Sequence, residues 1–230
     1  MKTIICIILF TTLFINAQSL DRSFTQINSD TTFSQAIYKD SLFFDFIIEF
    51  NVLNQNESLD STFAESIYIV NVFTENDSSS SQTIIDTLTY PSTDRRDLCF
   101  FDMNFDKYLD LVFVTDVTMR GYKIYSVWLF DVNQNLFVKE PSYSDLCCNM
   151  WIDQEKSEII IVYNDYRTYQ NRVYKIIGNK PILYFMEEHE LFKDNNKCFR
   201  KIKIFQLNNN ELELKEESIE EAPDDVCDYL

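Results

Sequence analysis

Apolar and polar residues alternate in short runs along the chain, with the two-residue period of β-strands. The clearest runs lie at 41–50, 67–73, 123–130, 158–163 and 200–207. Residues typical of tight turns separate such runs at hairpin spacing, at 76–81, 131–135, 178–181 and 208–210. Asn and Asp adopt left-handed backbone conformations readily, so they can replace glycine, of which the chain has 2. The pattern predicts an all-β fold of antiparallel strands.

The predicted hairpins recur at a spacing of about 50 residues. A strand pair around 102–110 precedes a hairpin at 123–138, and a second pair at 151–163 precedes a hairpin at 171–185. Two hairpins make a unit of four strands, which is the size of a propeller blade. The sequence therefore predicts antiparallel four-stranded units in a single β-propeller-like domain over 41–214. A β-sandwich fits the same strands and stays open as the alternative.

The two ends of the chain differ from this body. Residues 1–17 consist of a positive start at Lys2, a short apolar run and a small residue, Ala17, at the end. This order is typical of a secretory signal peptide. The run is too short to span a membrane, so we expect a secreted or periplasmic protein with no membrane span. Residues 18–40 are interpreted as a polar leader, and 215–230 as an acidic C-terminal tail.

Charge narrows the choice of partner. The chain has 20 Lys and Arg against 37 Asp and Glu, a formal net charge of −17. Nucleic acid and anionic membranes would be repelled, so neither is expected as a partner, and a cationic protein is favoured. The hydrophobic share of 46% excludes a disordered acidic chain. The acids concentrated at 211–230 are either a solvated tail or a docking strip for a cationic partner.

Export would place the cysteines in an oxidising compartment. Removal of the signal peptide leaves Cys99, Cys147, Cys148, Cys198 and Cys227, enough for up to two disulfides. Neighbouring strand residues face opposite sides, so only one of Cys147 and Cys148 is expected to reach Cys99. A bond between Cys198 and Cys227 would tie the tail to the body.

One local pattern carries candidate chemistry. Asp102, Asn104, Asp106 and Asp110 bear side-chain oxygens at positions 1, 3, 5 and 9, and Tyr108 offers a main-chain carbonyl at position 7. This spacing matches the first part of a calcium loop, because a tightly wound loop points alternate residues at one centre. Calcium prefers oxygen ligands of this kind. The sequence predicts a Ca²⁺ site at these five residues.

The stretch 101–111 resembles the D-x-N-x-D-G-x-x-D-L loop of FG-GAP and VCBS-type calcium-binding β-propellers. More narrowly, it is similar to a group of exported bacterial propeller-like proteins with one EF-hand-like loop. In that group an aromatic-rich strand and a short turn follow the loop, as 125–131 and 135–138 do here. The hairpin at 174–184 fits as well, so the resemblance covers 65–190.

This resemblance implies a function. Some members of the group inhibit peptidoglycan-cleaving enzymes or act as immunity proteins against them. By resemblance, we expect a secreted or periplasmic binding protein, not an enzyme, that inhibits a basic, lysozyme-like peptidoglycan hydrolase. The acidic charge suits such a target, since opposite charge speeds encounter.

The loop departs from the family pattern at two positions. Lys107 stands where the family has glycine, and Phe113 stands where an EF-hand has its bidentate Glu. The glycine position requires a positive φ, which costs a lysine about 1 kcal/mol. The lysine charge also repels a metal ion. The departures predict weak calcium binding, or a loop that keeps its shape without metal.

Enzymatic alternatives have little support from the sequence. His189 is the single histidine in the sequence and lies in no HExxH metal-binding motif. We therefore expect His189 to be an exposed residue of a strand or loop. Trp128 and Trp151 lie in alternating runs and are interpreted as core anchors, not as sugar platforms. The alternative to an inhibitor is a surface adhesive or glycan-binding module without inhibitory activity. An enzyme with no recognisable motif is the third hypothesis.

Overall fold

The computed structural model describes residues 18–19, 25–26, 31–38, 42–54, 65–74, 82–88, 97–118, 120–165, 167–195, 197–223 and 227. The predicted signal peptide at 1–17 and the predicted turn at 76–81 lie outside these residues. Within this part of the chain, no helix has the length and apolar character needed to cross a membrane.

The described residues form 16 β-strands. The strands are β1 Gln18–Ser19, β2 Thr25–Gln26, β3 Thr31–Tyr38, β4 Leu42–Asn54, β5 Glu65–Thr74, β6 Gln82–Leu88, β7 Asp97–Phe101, β8 Asp110–Val117, β9 Lys123–Asp131, β10 Leu136–Lys139, β11 Asn149–Asp153, β12 Glu158–Asn164, β13 Thr168–Ile177, β14 Lys180–Asp194, β15 Lys197–Asn208 and β16 Glu211–Glu221. A 3₁₀ helix, Pro141–Asp145, follows β10. Every pairing between these strands is antiparallel.

These strands confirm the predicted all-β class. The five alternating runs of the sequence fall on β4, β5, β9, β12 and β15. Asparagine does replace glycine in the turns, since Asn135, Asn179, Asn209 and Asn210 have φ values of 57°, 64°, 49° and 67°. The strands form three sheets, and the arrangement of these sheets as propeller blades stays a prediction.

The chain divides into two compact units. The single domain over 41–214 stays a prediction. The first unit, 21–147, contains a sheet in the order β10-β9-β8-β7-β2 and another in the order β3-β4-β5-β6. Both sheets contribute buried side chains to one hydrophobic core, including Phe44 from β4 and Phe130 and Phe137 from β9 and β10. The three rings meet edge to face at centroid distances of 5.6, 6.3 and 5.3 Å.

The second unit comprises 148–230 together with β1. Its seven strands form one sheet in the order β1-β11-β12-β13-β14-β15-β16. The meander of β11 to β14 repeats the meander of β7 to β10, as the predicted spacing of hairpins requires. The buried centre of this sheet lies on β11 and β12, where Met150, Ile152, Ile159 and Ile160 are each 0% exposed.

The polar leader and the acidic tail both contain strands. Thr31–Tyr38 forms β3, which pairs with β4 and buries Ile37 completely, so the sheet begins inside the segment interpreted as a leader. In the segment interpreted as a tail, residues up to 221 belong to β16, the end strand of its sheet. Cross-strand charge explains this strand, because Lys201 reaches Glu217 at 2.9 Å and lies opposite the acid-rich stretch.

The disulfide between Cys198 and Cys227 confirms the predicted link from the C-terminal segment to the body. It joins residues 29 apart in sequence, a loop whose closure stabilises a folded chain by about 3–4 kcal/mol. Cys99, Cys147 and Cys148 are thiols, so the second disulfide that the sequence allowed is not formed. Cys148 has a φ of 79°, so Cys147 and Cys148 are not neighbours within one extended strand.

Candidate metal centre

The predicted calcium loop connects two adjacent antiparallel strands. Phe101 ends β7 and lies opposite Asp110, which begins β8, so residues 102–109 form a closed loop between paired ends. Met103 is 0% exposed and fixes one side of the loop in the interior. The sheet therefore sets both the ends and the depth of the loop.

Three polar side chains turn back onto the loop backbone. Asp102 accepts the N–H of Asp106 on Oδ1 and that of Lys107 on Oδ2, both at 3.0 Å. Asn104 Oδ1 accepts the same Asp106 N–H at 3.2 Å, and its Nδ2 donates to Asp106 Oδ2 at 2.9 Å. Asp106 Oδ1 in turn accepts the N–H of Tyr108 at 2.8 Å. The spacing predicted that alternate side chains share one centre, and the structure brings Asp102, Asn104 and Asp106 together.

The backbone of the loop adopts the left-handed region at two positions. Phe105 has a φ of 63° and Lys107 a φ of 79°. The positive φ predicted for the family's glycine position is therefore present at Lys107. A residue with a Cβ is strained there, and the N–H that Lys107 donates to Asp102 offsets part of that cost.

Asp110 differs from the other loop carboxylates because it is completely buried. Its Oδ2 accepts the N–H of Met103 at 2.7 Å, and its Oδ1 accepts the N–H of Phe130 at 2.8 Å. Burial raises the pKa of this carboxyl well above its usual range, and the charges of Asp106 and Asp102 add to that effect. Asp110 thus anchors the loop to β9, and its predicted role as a metal ligand stays a prediction.

Tyr143 supports the same loop from the 3₁₀ helix. Its hydroxyl donates to the carbonyl of Met103 at 3.1 Å, and its side chain is 0% exposed. Burial raises the pKa of this phenol, and the charge of Asp110 raises it further, so the hydroxyl stays a donor. Sequence reasoning missed this residue, because no local pattern joins a tyrosine after Pro141 to a loop 40 residues earlier.

The donor chemistry of the loop fits calcium at four of its five predicted positions. Asp102, Asn104 and Asp106 bring side-chain oxygens, and Tyr108 has its main-chain carbonyl at position 7. Across the described residues, no three or more His, Cys, Asp or Glu side chains form a group able to hold a metal ion. The loop does not form such a group, because Asn104, one of its three converging side chains, is an amide. Water would have to complete the six to eight ligands that calcium takes.

The electrostatics of the loop favour a cation. The pKa of Asp102 is raised, first by burial and then by the nearby charge of Asp106, although three backbone N–H groups act in the opposite direction. A bound dication would reverse the repulsion between these two carboxylates. The loop therefore has the negative charge that a hard cation requires, and calcium binding there stays a prediction.

Other residues singled out by the sequence lie away from this loop. His189 lies on β14, with Nε2 2.8 Å from Glu187 Oε1 and its ring 5.1 Å from that of Tyr169. Trp128 packs against the core of the first unit, as predicted, and its Nε1 donates to Asp86 at 2.9 Å. Asp86 is 6% exposed and was not singled out from the sequence.

Comparison with known proteins bears on the fold. No protein-family model matches the chain, and no curated protein does. The chain is similar to a solved structure described as "Structure of a Xanthomonas Type IV Secretion System related protein", with a TM-score of 0.56 and 16% sequence identity. The match covers 84% of this chain and 97% of that chain.

Replacement of Lys107 by glycine is expected to stabilise the protein. Glycine adopts a φ of 79° without the steric cost of a Cβ, so Lys107→Gly should raise the free energy of unfolding by about 1 kcal/mol. For a chain of this size, that corresponds to about 2–4 °C in melting temperature, measured in chelator by circular dichroism.

Lys107→Ala is the matched control, because it removes the charge and keeps the Cβ. It should leave the melting temperature in chelator nearly unchanged. An equal gain from both variants would assign the effect to the lysine charge and contradict a backbone origin.

Proposed function

We propose that this protein is an exported, non-enzymatic binding protein that inhibits a basic, lysozyme-like peptidoglycan hydrolase and carries one calcium loop. The observation that supports this proposal most is the fold of the loop at 102–110. Asp102, Asn104 and Asp106 converge there around shared backbone N–H groups, and Lys107 takes the left-handed conformation. The positive φ that the resembled loop requires at this position is present at Lys107, and this supports the proposal.

Calcium has a mechanical role in this proposal. The loop joins β7 to β8, whose buried residues belong to the core of the first unit. Neutralising Asp102 and Asp106 would fix the loop that these strands share. The ion would stabilise the turn between β7 and β8. The surface that binds the partner would lie elsewhere on the sheets that this turn connects.

Charge supports a cationic partner. The formal net charge is −17, and part of the acidic surplus in the C-terminal hairpin is balanced within the chain. Arg200 lies 3.3 Å from Glu220, and Lys201 lies 2.9 Å from Glu217. Because Glu217 and Glu220 form ion pairs with β15, these two acids are partly neutralised within the chain, which makes a docking strip at 211–230 less favoured.

A propeller-like arrangement is part of the proposal. The meanders β3 to β6, β7 to β10 and β11 to β14 each supply four consecutive antiparallel strands, which is the content of a blade. The similarity to the solved structure of a Type IV Secretion System related protein concerns this fold alone.

Calcium should stabilise the mature protein. With a dissociation constant of about 1 mM, the weak range set for extracellular modules, about 10 mM calcium adds about 1.4 kcal/mol to the free energy of unfolding. The melting temperature should then rise by about 3–6 °C in calcium relative to chelator. The protein must first be verified metal-free by elemental analysis.

Asp106→Asn, which keeps an oxygen acceptor for Tyr108 but removes a charge, should reduce the shift in melting temperature. No shift in the unaltered protein would reject the metal site.

Inhibition should appear in a turbidity assay with Gram-positive cell walls and a panel of basic peptidoglycan hydrolases. The mature protein is expected to slow clearing by at least one of them, and the effect should weaken as salt rises, because the encounter is electrostatic. An acidic hydrolase is the matched control and should be unaffected. Binding to saccharide without any inhibition across the panel would favour the adhesive module and contradict this proposal.

A further inference from the structure

A cavity of about 280 Å³ opens in the first unit, beside the strands that hold the calcium loop. Its wall includes Asp86 from β6, Asp116 from β8, Ser126 from β9, Lys139 from β10, and Glu140 at the start of the 3₁₀ helix. This volume lies just below the usual size of pockets for whole small molecules. It suits a single polar group or one long side chain.

One carboxylate in the wall has its hydrogen bonds filled. Asp86 receives Lys139 Nζ at 2.9 and 3.1 Å, Trp128 Nε1 at 2.9 Å and the hydroxyl of Ser126. Lys139 also lies over the ring of Trp128, 5.7 Å from its centroid. The ammonium group of Lys139 is therefore engaged, and Asp86 and Lys139 together contribute no net charge to the cavity.

The other two carboxylates have unused capacity. Asp116 accepts the N–H of Val117 on Oδ1 at 2.7 Å, and Glu140 accepts the N–H and hydroxyl of Ser142 on Oε1 at 3.1 and 2.8 Å. Within the described chain, the second oxygen of each carboxylate accepts no hydrogen bond. The cavity therefore carries two uncompensated negative charges, each with an acceptor to spare.

A cation with several N–H donors is the ligand that best complements these two carboxylates. An anion would meet Asp116 and Glu140 while Lys139 is already engaged by Asp86. A guanidinium group has five N–H donors in a planar fork, enough for two carboxylates, one from β8 and one from the start of the 3₁₀ helix. An ammonium group is a point charge and gives up more of its hydration on entering such a site.

We propose that this cavity receives an arginine side chain of the cationic partner, so that Asp116 and Glu140 bind its guanidinium group. The proposal deepens the proposed function and rests on it for the identity of the partner. We call the cavity with Asp116 and Glu140 the arginine socket. Its binding of a guanidinium group can be tested without any hydrolase.

The direct test titrates the ¹⁵N-labelled mature protein with N-acetyl-arginine methylamide. Saturable shifts are expected at the backbone amides of 115–117 and 142–144, with a dissociation constant in the millimolar range. The matched probe N-acetyl-citrulline methylamide has the same shape without the charge and should cause no shift. Absence of shifts with the arginine probe, or equal shifts with citrulline or with N-acetyl-lysine methylamide, would overturn the assignment.

The matched variant is Asp116→Asn combined with Glu140→Gln. Both substitutions keep an oxygen that can accept the N–H groups of Val117 and Ser142, and both remove the charge. The double variant should melt as the unaltered protein does, lose the arginine-induced shifts, and lose at least tenfold in affinity for an inhibited hydrolase. Glu211→Gln with Glu216→Gln, on the exposed strand β16, is the control and should keep full affinity.

The two proposals fail separately. If the unaltered protein inhibits a hydrolase and the double variant does so equally well, the socket is wrong and the proposed function stands. If arginine shifts the cavity amides and no hydrolase is inhibited, the socket stands and the proposed target is wrong. Unchanged arginine shifts in the double variant would overturn the socket whatever the hydrolase assay gives.

Discussion

The buried carboxylate of Asp110 is the constraint on which the candidate site depends. It accepts one N–H from the loop, at Met103, and one from β9, at Phe130, and so joins the turn to the strand that carries an aromatic core ring. A carboxylate that is 0% exposed is tolerated only with such partners, since burial alone opposes its ionisation. Tyr143 completes the attachment through the carbonyl of Met103.

The anchored loop explains why the remaining oxygens converge. With Met103 and Asp110 fixed, the chain between them has too few residues to extend, and its N–H groups turn inward toward Asp102, Asn104 and Asp106. The side chains that satisfy the turn are the same ones that would bind a cation. The buried carboxylate thus holds the backbone, and the proposed metal-binding role falls to the outer oxygens.

Much of the fold follows from local pattern, and what the sequence missed depends on distant contacts. Alternation predicted β9 and β12, and backbone preference predicted asparagine turns such as Asn135. The resemblance to a calcium loop with glycine at the position of Lys107 implied the positive φ there. The part of β16 beyond residue 214 was not predicted, because a run of glutamates favours a solvated tail until the lysines of β15 lie opposite. The partners of Asp86 and Tyr143 lie about 40 residues away, at distances that no local period encodes. The division into two units depends on which meanders share a core, which alternation leaves open.

The most direct test compares the free energy of unfolding of Asp110→Asn and Asp106→Asn in chelator, by urea titration. Asparagine at 110 keeps one acceptor and turns an amide N–H toward a buried backbone N–H, so a loss of about 1–3 kcal/mol is expected. Asparagine at 106 also gives up one acceptor, the oxygen that Asn104 Nδ2 donates to, but water can replace that bond at this exposed position, so the value should change by about 0.5 kcal/mol or less. Equal losses, or a larger loss at 106, would contradict the account that Asp110 holds the loop without metal.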